Sequence, residues 1–421
     1  MRTVFCPADW RVWLILLAAG LGGLPGAGWG ASVEKAAAPE CDPPFVYSPI
    51  RVMEARDTAS RAQWTELMID AGAGDLTRPE NHIQAACLKA VLFGGEERLA
   101  QAVQTFTDIL GKWIEAGPAG EPLSPRVVIQ LAQSLDWLSA LPEWLKTGLP
   151  ERQALRDRFA ELVNPLMSSA PDGLADDVQY HLQAAKLYAG LIAGATGLVQ
   201  ESLLGNGKLP GLEAAARQAL TSEGLLAAGT PRRHAETGRD FLLAGAALKS
   251  CSPEAYAALE PLMQKTVTVL EALAYPSSRF PAVLAREKTG GQELVQLLEI
   301  GYALFPRPNL RNLLVELYKT NPRRPESLLF SEPSLLAGGP PEVVYSDALP
   351  QTGAALIHDV SDKLPLSLYL DTGLSGRTGP SALLSVEWMG LPAPPGSARE
   401  DSHTADFNTV VVDRMSQPAT P

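Results

Sequence analysis

The sequence predicts an α+β chain in two parts: an (α/α) toroid of helical hairpins, then an antiparallel β-sandwich portion of abbreviated length. Three observations predict it. From about residue 55 to 320, apolar residues recur at helical spacing, and Gly or Pro interrupts the runs every ~15–25 residues. Near residue 325 the pattern changes to short runs bounded by turn residues. Hydrophobic residues make up 46% and charged residues 19% of 421, enough for a sizeable core. The expected division is 1–31 signal peptide, 32–54 extended lead-in, 55–324 toroid, 325–342 linker and 343–421 partial sandwich.

The N-terminus reads as an export signal. Arg2 and Arg11 precede the apolar "VWLILLAAGLGGL", and small residues follow in "PGAGWGAS". The alternative is an N-terminal membrane anchor, but the stretch is short for a span of ~20 apolar residues. The expected location is therefore periplasmic or extracellular, with no integral span after cleavage. Cys41, Cys87 and Cys251 then remain, an odd and sparse set that implies no disulfide framework. "SVEKAAAPECDPPFVYSPI" is Pro-rich and reads as extended.

The helices follow in order. "NHIQAACLKAVLFGG" places Ile83, Ala86, Cys87, Ala90 and Val91 on one stripe, and "EERLAQAVQTFTDILGKWIEAG" repeats the pattern with Leu99, Val103, Phe106 and Leu110. "SPRVVIQLAQSLDWLSALPEW" opens with Ser124 as N-cap and Pro125 at the first helical position. "DDVQYHLQAAKLYAGLIAGA", "LEAAARQALTSEG", "GRDFLLAGAALK", "SPEAYAALEPLMQKTVTVLEALA" and "GQELVQLLEIGYALF" complete the series. Helix after helix with short breaks means antiparallel hairpins in sequence, as in solenoids and toroids. The absence of a short repeat word favours the toroid. After "RRPESLLFSEPSLLAGGPP", the runs "EVVYSD", "GAALIHDV", "LSLYLDTG", "SALLSVEWMG" and "FNTVVVDRM" read as five strands. That is thin for two complete layers.

The net charge of −12 argues against a nucleic-acid binder, whose phosphate contacts need a basic surface. It leaves an acidic glycan open, because a local Arg cluster dominates within one Debye length, ~8–10 Å.

The C-terminal words "LPQTGAALIHD" (349–359), "LYLDTGLSGRTGPSALLSVEWMG" (368–390) and "HTADFNTVVVDRMSQ" (403–417) resemble those of the heparinase II/III-type polysaccharide lyases and their alginate-lyase relatives. The resemblance is sharp there and extends over the helical part only in pattern and order. It implies a toroid plus β part, and β-elimination on a uronate-containing acidic polysaccharide. The departures are chemical. Thr378, Pro380, Ala382 and Phe407 stand near positions where that family has His or Asp, whereas Gly376, Gly379, Leu384, Ser385, Asn408 and Asp413 agree with it. None of the four departing residues serves as a metal ligand or proton carrier. The expectation is a retained fold with chemistry weakened or lost, no cofactor and no bound metal. The alternative is a non-catalytic helical scaffold or interaction protein of the cell envelope.

Such chemistry needs a neutralised carboxylate and a Tyr or His base. Tyr180 and His181 stand roughly where the resembling family has an Asn-His pair, though the Asn is absent, and read as a base and carboxylate partner in the cleft; the bland alternative is a capping turn with a buried His. "TPRRHAETGRDF" supplies Arg232, Arg233, His234 and Arg239; by the resemblance it corresponds to the segment that carries an Arg and the catalytic Tyr, but no Tyr follows and Phe241 stands in the neighbourhood. Its arginines suit anion recognition by guanidinium forks, against the alternative of a solvated loop. His234 joins the catalytic candidates, and Asn408 joins Arg232, Arg233 and Arg239 as substrate-binding candidates. Asn81-His82 reads as a helix start capped by Asn81. His358 and His403 lie in the β part, and His403 is a candidate substitute for the lost histidine. Trp137 and Trp144 read as core.

Overall fold

The computed structural model describes residues 46–61, 63–116, 124–168, 173–227, 231–273, 290–319, 321, 323–330 and five strands between 347 and 392. The helices are α1 (Pro49–Arg61), α2 (Glu66–Ala73), α3 (Pro79–Phe93), α4 (Glu96–Ala116), α5 (Pro125–Ser139), α6 (Pro142–Lys146) and α7 (Leu149–Ser168). They continue as α8 (Asp176–Ala193), α9 (Thr196–Leu204), α10 (Leu212–Ala219), α11 (Pro231–Cys251), α12 (Pro253–Leu273), α13 (Gly290–Leu304) and α14 (Pro308–Leu317), followed by a 3-10 turn, Pro325–Leu329.

Helix ends follow local chemistry. Ser124 accepts a hydrogen bond from the Val127 amide and Pro125 opens α5, as the sequence predicts. Gly194, at φ +69°, ends α8 in the left-handed conformation that glycine adopts without a Cβ penalty.

The helices α3, α5, α8, α11 and α13 form an inner row, each packed on the next, and α4, α7, α12 and α14 pack outside them. The sequence distinguishes the two layers. In α4 the buried residues are Leu99, Ala102, Phe106 and Leu110, one stripe of an amphipathic helix. In α8 every residue from Tyr180 to Ala193 is buried, polar ones included, because neighbours cover it on all sides. Gly238 of α11 illustrates the closeness: a Cβ there would come within 2.6 Å of Leu297 on α13.

The row closes on itself. The 3-10 turn packs against α1, and Tyr47, just before α1, packs at a tilt against Phe330 with ring centroids 5.1 Å apart. Residues 325–329, a linker by sequence, are therefore a buried part of the ring wall.

The expected α+β class with a β-sandwich is corrected. Helices account for nearly all of the described chain, which makes its body an all-helical ring. The described strands, β1 (Asp347–Leu349), β2 (Ala354–Asp359), β3 (Leu366–Asp371), β4 (Leu383–Trp388) and β5 (Leu391–Pro392), form one antiparallel sheet in the order β1-β2-β3-β4-β5. A sandwich needs two facing sheets, and among the described residues there is one. Each described strand pairs with its sequence neighbour, Ala354 opposite Asp371 and Leu366 opposite Trp388, in a single meander; the expected strand "FNTVVVDRM" lies outside the described residues.

Candidate functional site

Polar side chains of the inner row converge inside the ring. Arg126, near the start of α5, donates to Glu236 of α11 at 2.9 Å and lies 4.0 Å from Glu293 of α13. Deeper, Asp240 of α11 accepts from His181 Nε2 of α8 at 2.7 Å and from Arg239 at 2.6 Å. Arg239 also donates to Gln296 Oε1 of α13, and Gln296 Nε2 donates to Glu326 of the 3-10 turn at 2.8 Å. Deeper still, Asp136 of α5 accepts from Tyr188 of α8 and from the Val46 amide, each at 3.1 Å. Partners lie at similar depths along their helices, so the inner helices run in the same direction and their starts share one end of the ring.

At that end lies a cavity of about 370 Å³. Arg78, Asn81, Ser124 and Arg126 belong to the helix starts that border it; Gln130, Gln84, Arg239, Gln296 and Glu326 line its middle; Gln133, Leu88, Ile300 and Phe330 line its inner end. Asn81, Gln84, Gln130, Gln133 and Gln296 give it a carboxamide-rich wall. Carboxamides both donate and accept, which suits hydroxyl groups. Three of the four lining guanidiniums are balanced, Arg126 by Glu236, Arg239 by Asp240, and Arg324 by Glu326 at 3.6 Å, whereas Arg78 at the border is exposed and has no ion pair among the described residues. Arg126 is the more open of the first two, with 39% of its side chain exposed against 12% for Arg239.

Burial alone would raise the Asp240 carboxyl, but Arg239 and His181 outweigh it and hold it below the usual carboxylate range. The network is thus a buried ion pair with both Asp240 oxygens hydrogen-bonded, which helps such a pair to be tolerated, while His181 Nδ1 is buried with no partner among the described residues.

The sequence candidates separate. Arg239 lines the cavity, and His181 stands behind it through Asp240. Tyr180 does not reach the cavity: it is 1% exposed and packs edge-on against Phe241 at 5.1 Å. Burial raises its hydroxyl well above the ordinary tyrosine value, which disfavours a phenolate base. His234 is also buried, and its Nδ1 accepts from the Leu226 amide at 3.2 Å, tying α11 to the loop before it. Arg233 pairs with Asp177 at 3.2 Å, outside the cavity lining. The Arg232 side chain, Asn408, His403 and Phe407 lie outside the described residues. Asn81 does not cap α3, whose N-cap is Arg78; its side chain donates to the Asp75 carbonyl at 3.0 Å instead. Trp137 is core, fully buried against Tyr47.

Sequence reasoning missed Arg126, Gln130, Gln133, Asp240, Gln296 and Glu326. A signal existed in α5: Arg126, Gln130 and Gln133 recur at helical spacing on a largely apolar helix, the mark of a polar stripe facing an internal space. Among the described residues no group of three or more His, Cys, Asp or Glu could hold a metal ion, and no helix is long and apolar enough to cross a membrane.

No family model matches this sequence, and no curated protein matches it. Among solved structures the ring is similar to heparinase III, with a TM-score of 0.45 and 14% identity over 75% of this chain and 49% of that one. The chain thus spans about half the length of heparinase III.

Proposed function

We propose that this is an exported, lyase-type helical ring that binds a uronate-bearing saccharide in its cavity, with β-elimination weakened or lost. The observation that carries the reading is the cavity itself: a carboxamide wall for hydroxyls, and Arg126 open enough to receive a carboxylate. Helix starts at the same end add partial positive charge, favourable to an anion. The C-terminal words that resemble heparinase II/III-type lyases point to the same ligand class, and the Arg2, Arg11 and apolar N-terminal pattern points to export.

The described lining supports the reading of weakened chemistry. Among the described residues that border the cavity there is neither Tyr nor His, and Tyr180 is enclosed in the core. Elimination at C5 needs such a base beside the sugar.

The test is a panel of alginate, heparin and heparan sulfate. Binding is measured by calorimetry, and elimination by the ultraviolet absorbance of an unsaturated uronate product. Binding with little or no product is expected; rapid product formation refutes weakened chemistry, and no binding refutes the ligand class. The scaffold reading has one observation in its favour: Ile50, Met53, Leu67 and Met68 of α1 and α2 are exposed apolar side chains. It predicts no glycan binding.

A further inference from the structure

Gln133 and Phe330, at the inner end of the cavity, share a neighbour on their far side. Tyr47 accepts a hydrogen bond from Gln133 Nε2 at 2.7 Å and packs at a tilt against Phe330 at 5.1 Å. It also meets Trp137 edge-on at 6.0 Å. The Val46 amide donates to Asp136, which Tyr188 also engages. Tyr47, Trp137, Asp136 and Tyr188 are each at most 1% exposed, so at this depth the interior of the ring is solid. On the side of α8 and α11 it is solid as well, with Tyr180, His181, Asp240 and Phe241 each at most 2% exposed. Val46 and Tyr47 therefore fill the space beneath the cavity, and a polymer cannot pass out through its floor.

We propose that the cavity is a blind pocket, floored by Tyr47 through Gln133 and Phe330, and that it takes the end of a saccharide chain rather than its interior. This rests on the saccharide reading above and specifies which part of the chain is held. Size agrees. A ligand pocket commonly encloses ~300–1,000 Å³, and one of about 370 Å³ has room for about one or two sugar rings. Arg126, near the opening, is placed to meet a carboxylate on the terminal unit, and the carboxamides below it face the hydroxyls. Gln84 and Gln130 make no side-chain hydrogen bond among the described residues, so both are available to a ligand.

The experiment is a ladder of alginate oligosaccharides, from disaccharide to polymer, titrated into the full chain with the number of protein molecules per glycan chain determined at each length. A pocket for chain ends gives one protein per chain at every length and an affinity per chain that does not rise with length. A number that grows with length overturns the inference while leaving saccharide binding intact. No binding at any length overturns both. Gln130→Ala locates the binding: Gln130 is half-buried and structurally unengaged, so the variant keeps the fold and loses one ligand hydrogen bond, for about fivefold weaker binding. Unchanged affinity in that variant places the glycan elsewhere and overturns the inference.

Discussion

Asp240 joins two side chains of the ring interior. It binds His181 through one oxygen and Arg239 through the other, with its own side chain fully buried. Removing it leaves Arg239 buried without its carboxylate, and breaking one side of a buried pair costs ~3–5 kcal/mol. Asp240→Ala is accordingly expected to lower unfolding stability in urea by about 3 kcal/mol or more at neutral pH. The sign of the pH dependence follows from the depressed carboxyl. Its contribution is present above the ordinary Asp range, ~3.9, and is lost as pH falls toward the lower folded value. The gap between wild type and variant should narrow in acid titration, and a gap that stays constant down to pH ~2 would contradict the assignment. At this scale the sequence was half legible. His181 and Arg239 stood out as scarce or clustered polar residues, whereas Asp240 looked like any helix-surface carboxylate. Its partner lies on α8, and pairing across helices leaves no trace in local spacing.

Ring closure depends on two small junctions. In one, Glu299 of α13 accepts from Tyr318 at 2.6 Å and from Ser327 of the 3-10 turn at 2.8 Å. Burial pushes its carboxyl up to about 7, against the lowering effect of these hydrogen bonds and of Arg323. A raised folded value reverses the usual acid case. The contribution is full below ~4.3, falls as pH rises toward 7, and is level beyond that. Glu299→Gln removes the loss, so relative to wild type the variant should gain about 3 kcal/mol between pH ~4 and ~8. Thermal unfolding across that range measures it, and parallel curves for the two proteins would refute it. In the other junction Tyr47 bridges Trp137 and Phe330. Tyr47→Ala is expected to cost ~3–5 kcal/mol, as for other large buried aromatics, by chemical denaturation. A cost under ~1 kcal/mol would mean that the lead-in is not part of the closure. Neither junction was legible beforehand, because Tyr47 and Ser327 sit in Pro-rich segments that read as lead-in and linker. What decides their burial is the return of the chain to its starting helix, a long-range event.

At the level of the whole molecule, the helical half was the readable part. Long amphipathic and all-apolar runs with Ser, Pro and Gly at their ends specify helices locally, and consecutive hairpins specify the ring. The sandwich was misread because short alternating runs reveal strands but not how many layers they make; here neighbours pair in one meander. Arg-rich "TPRRHAETGRDF" was singled out for its density of charge, yet among its described side chains only Arg239 lines the cavity, while Arg233 is occupied by Asp177. Arg126 is more open than Arg239, although it stands alone in its segment.

The central claim is that this cavity holds a uronate-bearing saccharide through Arg126. The most direct measurement is calorimetric binding of an alginate oligosaccharide to wild type and to Arg126→Lys at physiological salt. A lysine keeps the charge near Glu236 and Glu293 but lacks the two parallel donors of the fork. A charge-assisted contact worth ~1.5–3 kcal/mol is at stake, so the account predicts binding by wild type and about tenfold or greater weakening in the variant. Equal affinities, or no binding by wild type, would contradict it.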